Sequence, residues 1–261
     1  MIKRRLIPVL YIKNGLIVRS ENFSYHHNIG NVVTEAKRYN EWNVDELIYI
    51  DISREKYYDL RRDDVYIKST DSIGGIINQI SQVCFMPLTF GGGIRTIDDI
   101  SYRIINGADK ITLNTGALKN PKLITQAAEK YGSQAIVISI DYKIINSKSI
   151  VFTDFGQKNT NKLVLSWIKE CENLGAGEIF LNSIDRDGKA NGYDLETIGK
   201  IVASTKLPVI ACGGAGQPQD FVEIAEKTKV SAIAAGNIFH FTELSYPRTK
   251  ILLKKEGLNF R

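Results

Sequence analysis

Apolar residues gather into eight short runs along the chain, at about 5–11, 46–52, 86–91, 109–114, 134–141, 177–182, 207–212 and 230–235. The runs are rich in Ile, Val, Leu and Tyr and mostly lack polar alternation, as expected of strands buried on both faces. Between them lie amphipathic segments at 31–43, 97–107, 121–131, 160–174, 194–204, 218–227 and 242–256. In the first of these, Val32, Val33, Ala36, Tyr39 and Trp42 recur at helical spacing. Asn120-Pro121 and Tyr131-Gly132 bracket another with a start and a stop. Strand and helix alternating in this way predict a parallel sheet, and eight strands close a barrel. No linker or low-complexity tract interrupts the rhythm, so one (β/α)8 barrel domain is expected over residues 1–261. Two insertions break it: 53–72 after the second run, and 142–159 after the fifth, which reads as a small hairpin. Long loops at strand C-termini are where such barrels build their active face.

The pattern is also written twice. Met86-Pro-Leu-Thr-Phe-Gly-Gly-Gly93 is repeated as Leu207-Pro-Val-Ile-Ala-Cys-Gly-Gly214, with Pro87 and Pro208 121 positions apart. Asn114 and Ala235, which close the next runs, are separated by the same 121. A repeat of that length predicts two duplicated half-barrels. Each copy ends in glycines, which let backbone N–H groups turn toward an anion at a helix start. We therefore expect one phosphate at Gly93, Asn114 and Thr115, and another at Gly188, Gly214, Gly236 and Asn237, on a substrate with two anionic ends.

Composition narrows the classes. The net charge of +5 on 63 charged residues suits anionic small molecules and shows no basic stripe for nucleic acid. No run reaches the length of a membrane span, and no apolar leader opens the chain. Cys84, Cys171 and Cys212 are widely spaced with no paired motif, which fits a reducing cytoplasm and offers no cysteine-built metal site. No cofactor motif stands out. The Arg61-Arg62 and Lys254-Lys255 pairs read as solvated faces.

Asp141 closes Ala-Ile-Val-Ile-Ser-Ile-Asp, a carboxylate at the end of a buried strand between the two glycine loops. Partial burial would raise its pKa and suit it to proton transfer. Its half-barrel mate is Tyr11, a phenol and not a second carboxylate. Asp51, Asp185 and Asp187 also end strands on that side and are further candidates. At the opposite ends of the strands stand Arg5, Glu46, Lys110 and Glu178, where an apolar layer is expected. They read either as a buried ion-pair ring or as a polar gate to a passage through the barrel.

These residues carry a resemblance. The chain is similar along almost its whole length to the HisF family, the cyclase subunits of imidazole glycerol phosphate synthase. The matching stretches include Gly91-Gly92-Gly93-Ile94-Arg95-Thr96, Gly107-Ala108-Asp109-Lys110, Asn114-Thr115, Asp185-Arg186-Asp187-Gly188, Gly192-Tyr193-Asp194-Leu195 and Gly213-Gly214-Ala215-Gly216. The resemblance implies a HisH-like glutaminase partner, whose ammonia crosses the barrel to attack a phosphorylated small-molecule substrate. It places the family's ammonia gate on Arg5, Glu46, Lys110 and Glu178, its phosphate contacts on the positions above, and its partner-facing aspartate on Asp109. Of the family's two catalytic aspartates one is matched by Asp141; the other falls on Tyr11. A lysine of the family's mobile loop is Arg19 here, and positions near the substrate read Asn182 and Cys212.

Departures at one face with the other intact resemble the HisF-like paralogues that work with a sugar amidotransferase, converting an acetamido sugar of surface polysaccharide to an acetamidino sugar. That is the main expectation. The alternatives are a genuine cyclase of histidine biosynthesis, a non-catalytic ammonia conduit that activates the glutaminase, and a related phosphoribosyl isomerase.

Overall fold

The computed structural model describes residues 3–21, 23–55, 57–58, 70–241 and 243–261. Eight parallel strands close into a barrel: β1 (Arg5–Lys13), β4 (Leu47–Asp51), β5 (Leu88–Gly91), β6 (Lys110–Leu113), β7 (Ile136–Ile145), β10 (Glu178–Ser183), β11 (Val209–Cys212) and β12 (Ala232–Ala235). Closure comes from β12 pairing back onto β1, with Arg5 opposite Ala232 and Pro8 opposite Ala235. The eight expected runs are these eight strands. Their helices are α1 (Val32–Glu41), α2 (Ile73–Ser81), α3 (Ile97–Ile105), α5 (Lys122–Tyr131), α6 (Val164–Asn173), α7 (Leu195–Ser204), α8 (Pro218–Lys227) and α10 (Ser245–Lys255). Two short helices, α4 (Thr115–Lys119) and α9 (Ile238–Phe241), follow β6 and β12 directly.

Two clusters of apolar side chains hold the layers. Between sheet and helices lies a continuous shell that includes Leu6, Leu10, Tyr49, Phe90, Trp167, Phe221 and Tyr246. Inside the barrel Ile7, Val9, Ile48, Val137, Phe180, Ile210, Ala232 and Ala234 pack together. Strands apolar on both faces serve both clusters at once, which is why the runs show so little alternation.

Two antiparallel additions rise from the C-terminal ends of the strands. β2 (Leu16–Glu21) pairs with the end of β1 and with β3 (Tyr25–Asn31). The turn from β1 to β2 is Asn14-Gly15, with φ of 50° and 76°, the two-residue hairpin turn that favours those residues. β8 (Lys148–Thr153) pairs with the extended end of β7 and with β9 (Lys158–Leu163). This second hairpin was expected, and its turn is Asn146-Ser147. Residues 160–163, expected to begin a helix, belong to β9, and α6 starts only at Val164. The 53–72 insertion falls largely outside the described residues, as does the Arg61-Arg62 pair. Lys254 and Lys255 are exposed, as expected.

Candidate functional site

The rim at the strand N-termini carries a four-charge cluster. Arg5 Nη1 lies 2.5 Å from Glu46 Oε2, and Arg5 Nη2 pairs with Glu178 Oε1. Lys110 Nζ bridges the same carboxylates, 3.1 Å from Glu46 and 3.2 Å from Glu178. Thr89 adds a hydroxyl, donating to Glu46 Oε1 at 3.0 Å. Glu46 is 1% exposed and Glu178 6%, so both are paired away from water by the two cations. Burial alone would lower the Arg5 pKa, but Glu178 and Glu46 outweigh it and the net shift is upward. Directly above, the barrel interior turns apolar at Ile7, Ile48, Val137 and Phe180. On the same rim Asp109 Oδ2 accepts from the Leu88 amide at 2.8 Å, tying β6 to β5.

At the opposite rim a cavity of about 220 Å³ opens between β1, β2, β11 and β12. Tyr11, Arg19, Asp187, Cys212, Gly214, Gly236 and Asn237 are among its lining residues. Here Gly188, Gly214, Gly236 and Asn237, expected together from sequence, do converge. Gly214 needs its φ of 110°, because a Cβ there would run into the backbone carbonyl of Gly192. Gly93, Asn114 and Thr115 lie on the other half of the rim, where β5 and β6 end. The half-barrel repeat is thus visible as two separate loop sets.

The two long helices after the glycine loops start in the same way. At α3, Asp99 Oδ2 accepts from the Arg95 and Thr96 amides, both at 2.9 Å. At α8, 121 positions on, Asp220 Oδ2 accepts from the Gly216 and Gln217 amides at 2.8 and 3.1 Å. Each long helix therefore has a carboxylate of its own first turn bonded to the amides of its N-cap residue and the residue before it. The short helices α4 and α9 begin immediately after Asn114 and Asn237, at the same rim.

Asp141 sits at the barrel's inner face, held by two amides. Asn114 Nδ2 donates to Oδ2 at 2.7 Å and Asn182 Nδ2 to Oδ1 at 3.4 Å. Burial nevertheless dominates and pushes Asp141 up to about 7, with Asp187 adding to the rise. Tyr11 is 8% exposed, and its phenol is driven well above its ordinary value by burial first, then by Asp187, Cys212 and Asp141. It is a neutral hydroxyl throughout the working pH range. Cys212 is likewise pushed up by burial and by both aspartates, so it stands as a thiol. All three cysteines are free and buried.

Asp185 and Asp187 do not end a strand: β10 stops at Ser183 and both sit in the turn beyond it. Asp185 is spent on the Ile144 amide, 2.9 Å away. Asp51 accepts from Tyr58 Oη at 2.8 Å and from the Ser53 amide at 2.9 Å. Among the described residues no three His, Cys, Asp or Glu side chains converge to hold a metal ion. Nor, among them, is any helix long and apolar enough to cross a membrane.

Residues 5–245 match the model of the histidine biosynthesis protein family. The chain is 41% identical to the imidazole glycerol phosphate synthase subunit HisF of Sulfurisphaera tokodaii over 261 residues, covering all of both. It is 40% identical to the subunit of the same name from Leuconostoc mesenteroides, covering 99% of this chain and 98% of that one. A third, from Thermotoga sp. strain RQ2, is 39% identical over all of this chain and 98% of its own length. With the closed barrel, the doubled glycine loops and the full-length match, the chain belongs to the HisF family.

Proposed function

We propose that this chain is the ammonia-using synthase subunit of a glutamine-dependent amidotransferase. A glutaminase would seat on the rim that carries Asp109 and the Arg5–Glu46–Lys110–Glu178 gate. A substrate with two phosphates would lie across the opposite rim, one on the Gly93, Asn114 and Thr115 loops and the other on those of Gly188, Gly214, Gly236 and Asn237. The observation that carries this reading is the intact four-charge cluster, in which two buried carboxylates are each bridged by Arg5 and Lys110. Such a cluster is a costly way to gain stability. It suits a closure that admits a small neutral molecule when one salt bridge opens.

Two acceptors fit that face, and each has its support. The name shared by the full-length relatives supports closure of the imidazole ring of imidazole glycerol phosphate, with Asp141 in proton transfer. Tyr11 favours the second: delivery of ammonia to a sugar amidotransferase for acetamido-to-acetamidino conversion, where no aspartate pair is required of the barrel. A passive conduit is the limiting case of that second reading. Cyclisation of the ribotide with ammonium salt, which bypasses the glutaminase, separates them. Turnover in the unaltered chain supports the first; no turnover until Tyr11→Asp supports the second.

A further inference from the structure

Asp187 was one of three spare carboxylates in the sequence, and the structure sets it apart. It lines the cavity together with Tyr11, and Asp141, held by Asn114 and Asn182, is close enough to raise the Tyr11 pKa and to have its own raised by Asp187. The residue is 7% exposed and its carboxylate accepts from Ser20 Oγ at 3.1 Å, with Ser20 on the β2 hairpin beside the cavity. Asn237 fastens the same hairpin, its Nδ2 donating to the Ser20 carbonyl at 2.7 Å.

We propose that Asp187 is a catalytic residue of this chain, supplying with Asp141 the two-carboxylate proton transfer that Tyr11 cannot. The inference rests on the reading that ammonia is added to a carbonyl at this face. In that addition the nitrogen lone pair forms the C–N bond and the carbonyl π pair moves onto oxygen. Asp141, as the carboxylic acid, gives that oxygen its proton; Asp187, as the carboxylate, takes one from nitrogen. The product is a carbinolamine and no electrons are gained or lost.

Burial holds both carboxyls above the ordinary carboxylate range, which lets one be protonated while the other is ionised. Asp141 is pushed up to about 7, chiefly by burial. Asp187 is pushed up to about 6, again by burial first, while the Ser20 hydroxyl and the Phe23 amide pull it back and Glu21 adds a small rise. Two acids whose surroundings separate their pKa values can be one protonated and one ionised near neutrality. The charged or titratable groups facing Asp187 are Arg19 and Glu21 from β2, Tyr11 from β1, Asp141 from β7 and Cys212 from β11. Tyr11 and Cys212 stay neutral, whereas burial brings both aspartates up toward neutrality.

The test is cyclisation by the full chain with ammonium salt across pH 5 to 9. Asp187→Asn should lower kcat by roughly 100-fold or more, with KM within a few-fold, and remove the acid limb near pH 6. Ser20→Ala should keep turnover and move that limb to higher pH, since it deletes a hydrogen bond that holds Asp187 down; a merely structural latch would leave the limb in place. Unchanged kcat in Asp187→Asn, or an unmoved limb in Ser20→Ala, overturns the inference alone. An unaltered chain that never turns over overturns the ring-closure reading and this inference together.

Discussion

The Asn114 side-chain amide donates to the Asp141 carboxylate at 2.7 Å, across neighbouring strands β6 and β7. Asn114 is also one of the residues proposed to contact a phosphate, and with its side-chain amide on Asp141 the backbone of its loop is what it can offer there. That bond stabilises the charged form of Asp141 against burial. Asn114→Ala should therefore raise the Asp141 pKa above about 7 and move the alkaline limb of the pH–rate profile upward. Phosphate affinity should change little if only the backbone of this loop is used. A limb that moves down would show that Asn114 does not hold Asp141 in the working enzyme.

Keeping Asp141 and Asp187 buried carries a stability cost that pH reveals. Both have folded pKa values above the ordinary carboxylate value, about 7 and about 6. Their contribution is fully present below about pH 4 and is lost as pH rises through 6 and 7. For Asp141 alone the loss is on the order of 4 kcal/mol. Asp141→Asn should flatten this dependence, and its urea midpoint relative to the unaltered chain should rise between pH 5 and pH 8. Parallel curves for the two proteins would contradict the burial argument.

The charge cluster at the other rim should tolerate loss of Lys110 better than loss of Arg5. Arg5 holds Glu46 and Glu178 from within, whereas the Lys110 side chain is 21% exposed and can be replaced in part by water. Arg5→Ala leaves buried carboxylates short of a partner and should cost about 3–5 kcal/mol in denaturant unfolding. Lys110→Ala should cost less than that while raising the glutamine needed per product formed. Equal destabilisation by the two variants would refute this ranking.

Asp109 serves β5 through the Leu88 amide and also lies on the rim proposed for the glutaminase. Asp109→Asn keeps an acceptor oxygen for that amide and should fold normally. Asp109→Lys should weaken glutaminase binding at least tenfold by calorimetry, with the Asn variant between it and the unaltered chain. Binding unchanged in both would move the docking surface elsewhere.

The barrel strands were legible because burial on both faces leaves an unbroken apolar run in sequence. The β2–β3 hairpin was not, since Tyr25, His26, His27 and Asn28 read as loop and are mostly exposed. Asn14-Gly15 was the available signal, a two-residue turn between Lys13 and Leu16. α4 and α9 are too short to show a helical period. Asp187 could be named but not ranked from sequence. Its distinction depends on Ser20, 167 positions away, and on a hairpin that only the fold brings beside it.

The apolar plug of Ile7, Ile48, Val137, Phe180 and Ile210 separates the charge cluster from Asp141, Tyr11 and Asp187. It insulates one end of the molecule from the other. A neutral guest can cross such a layer, whereas an ion would have to shed its hydration to do so. Because neither end's charges need register with the other's, substitutions can accumulate at the upper face without detuning the lower. Tyr11 stands above the plug, and a change there leaves the ring of salt bridges beneath it undisturbed.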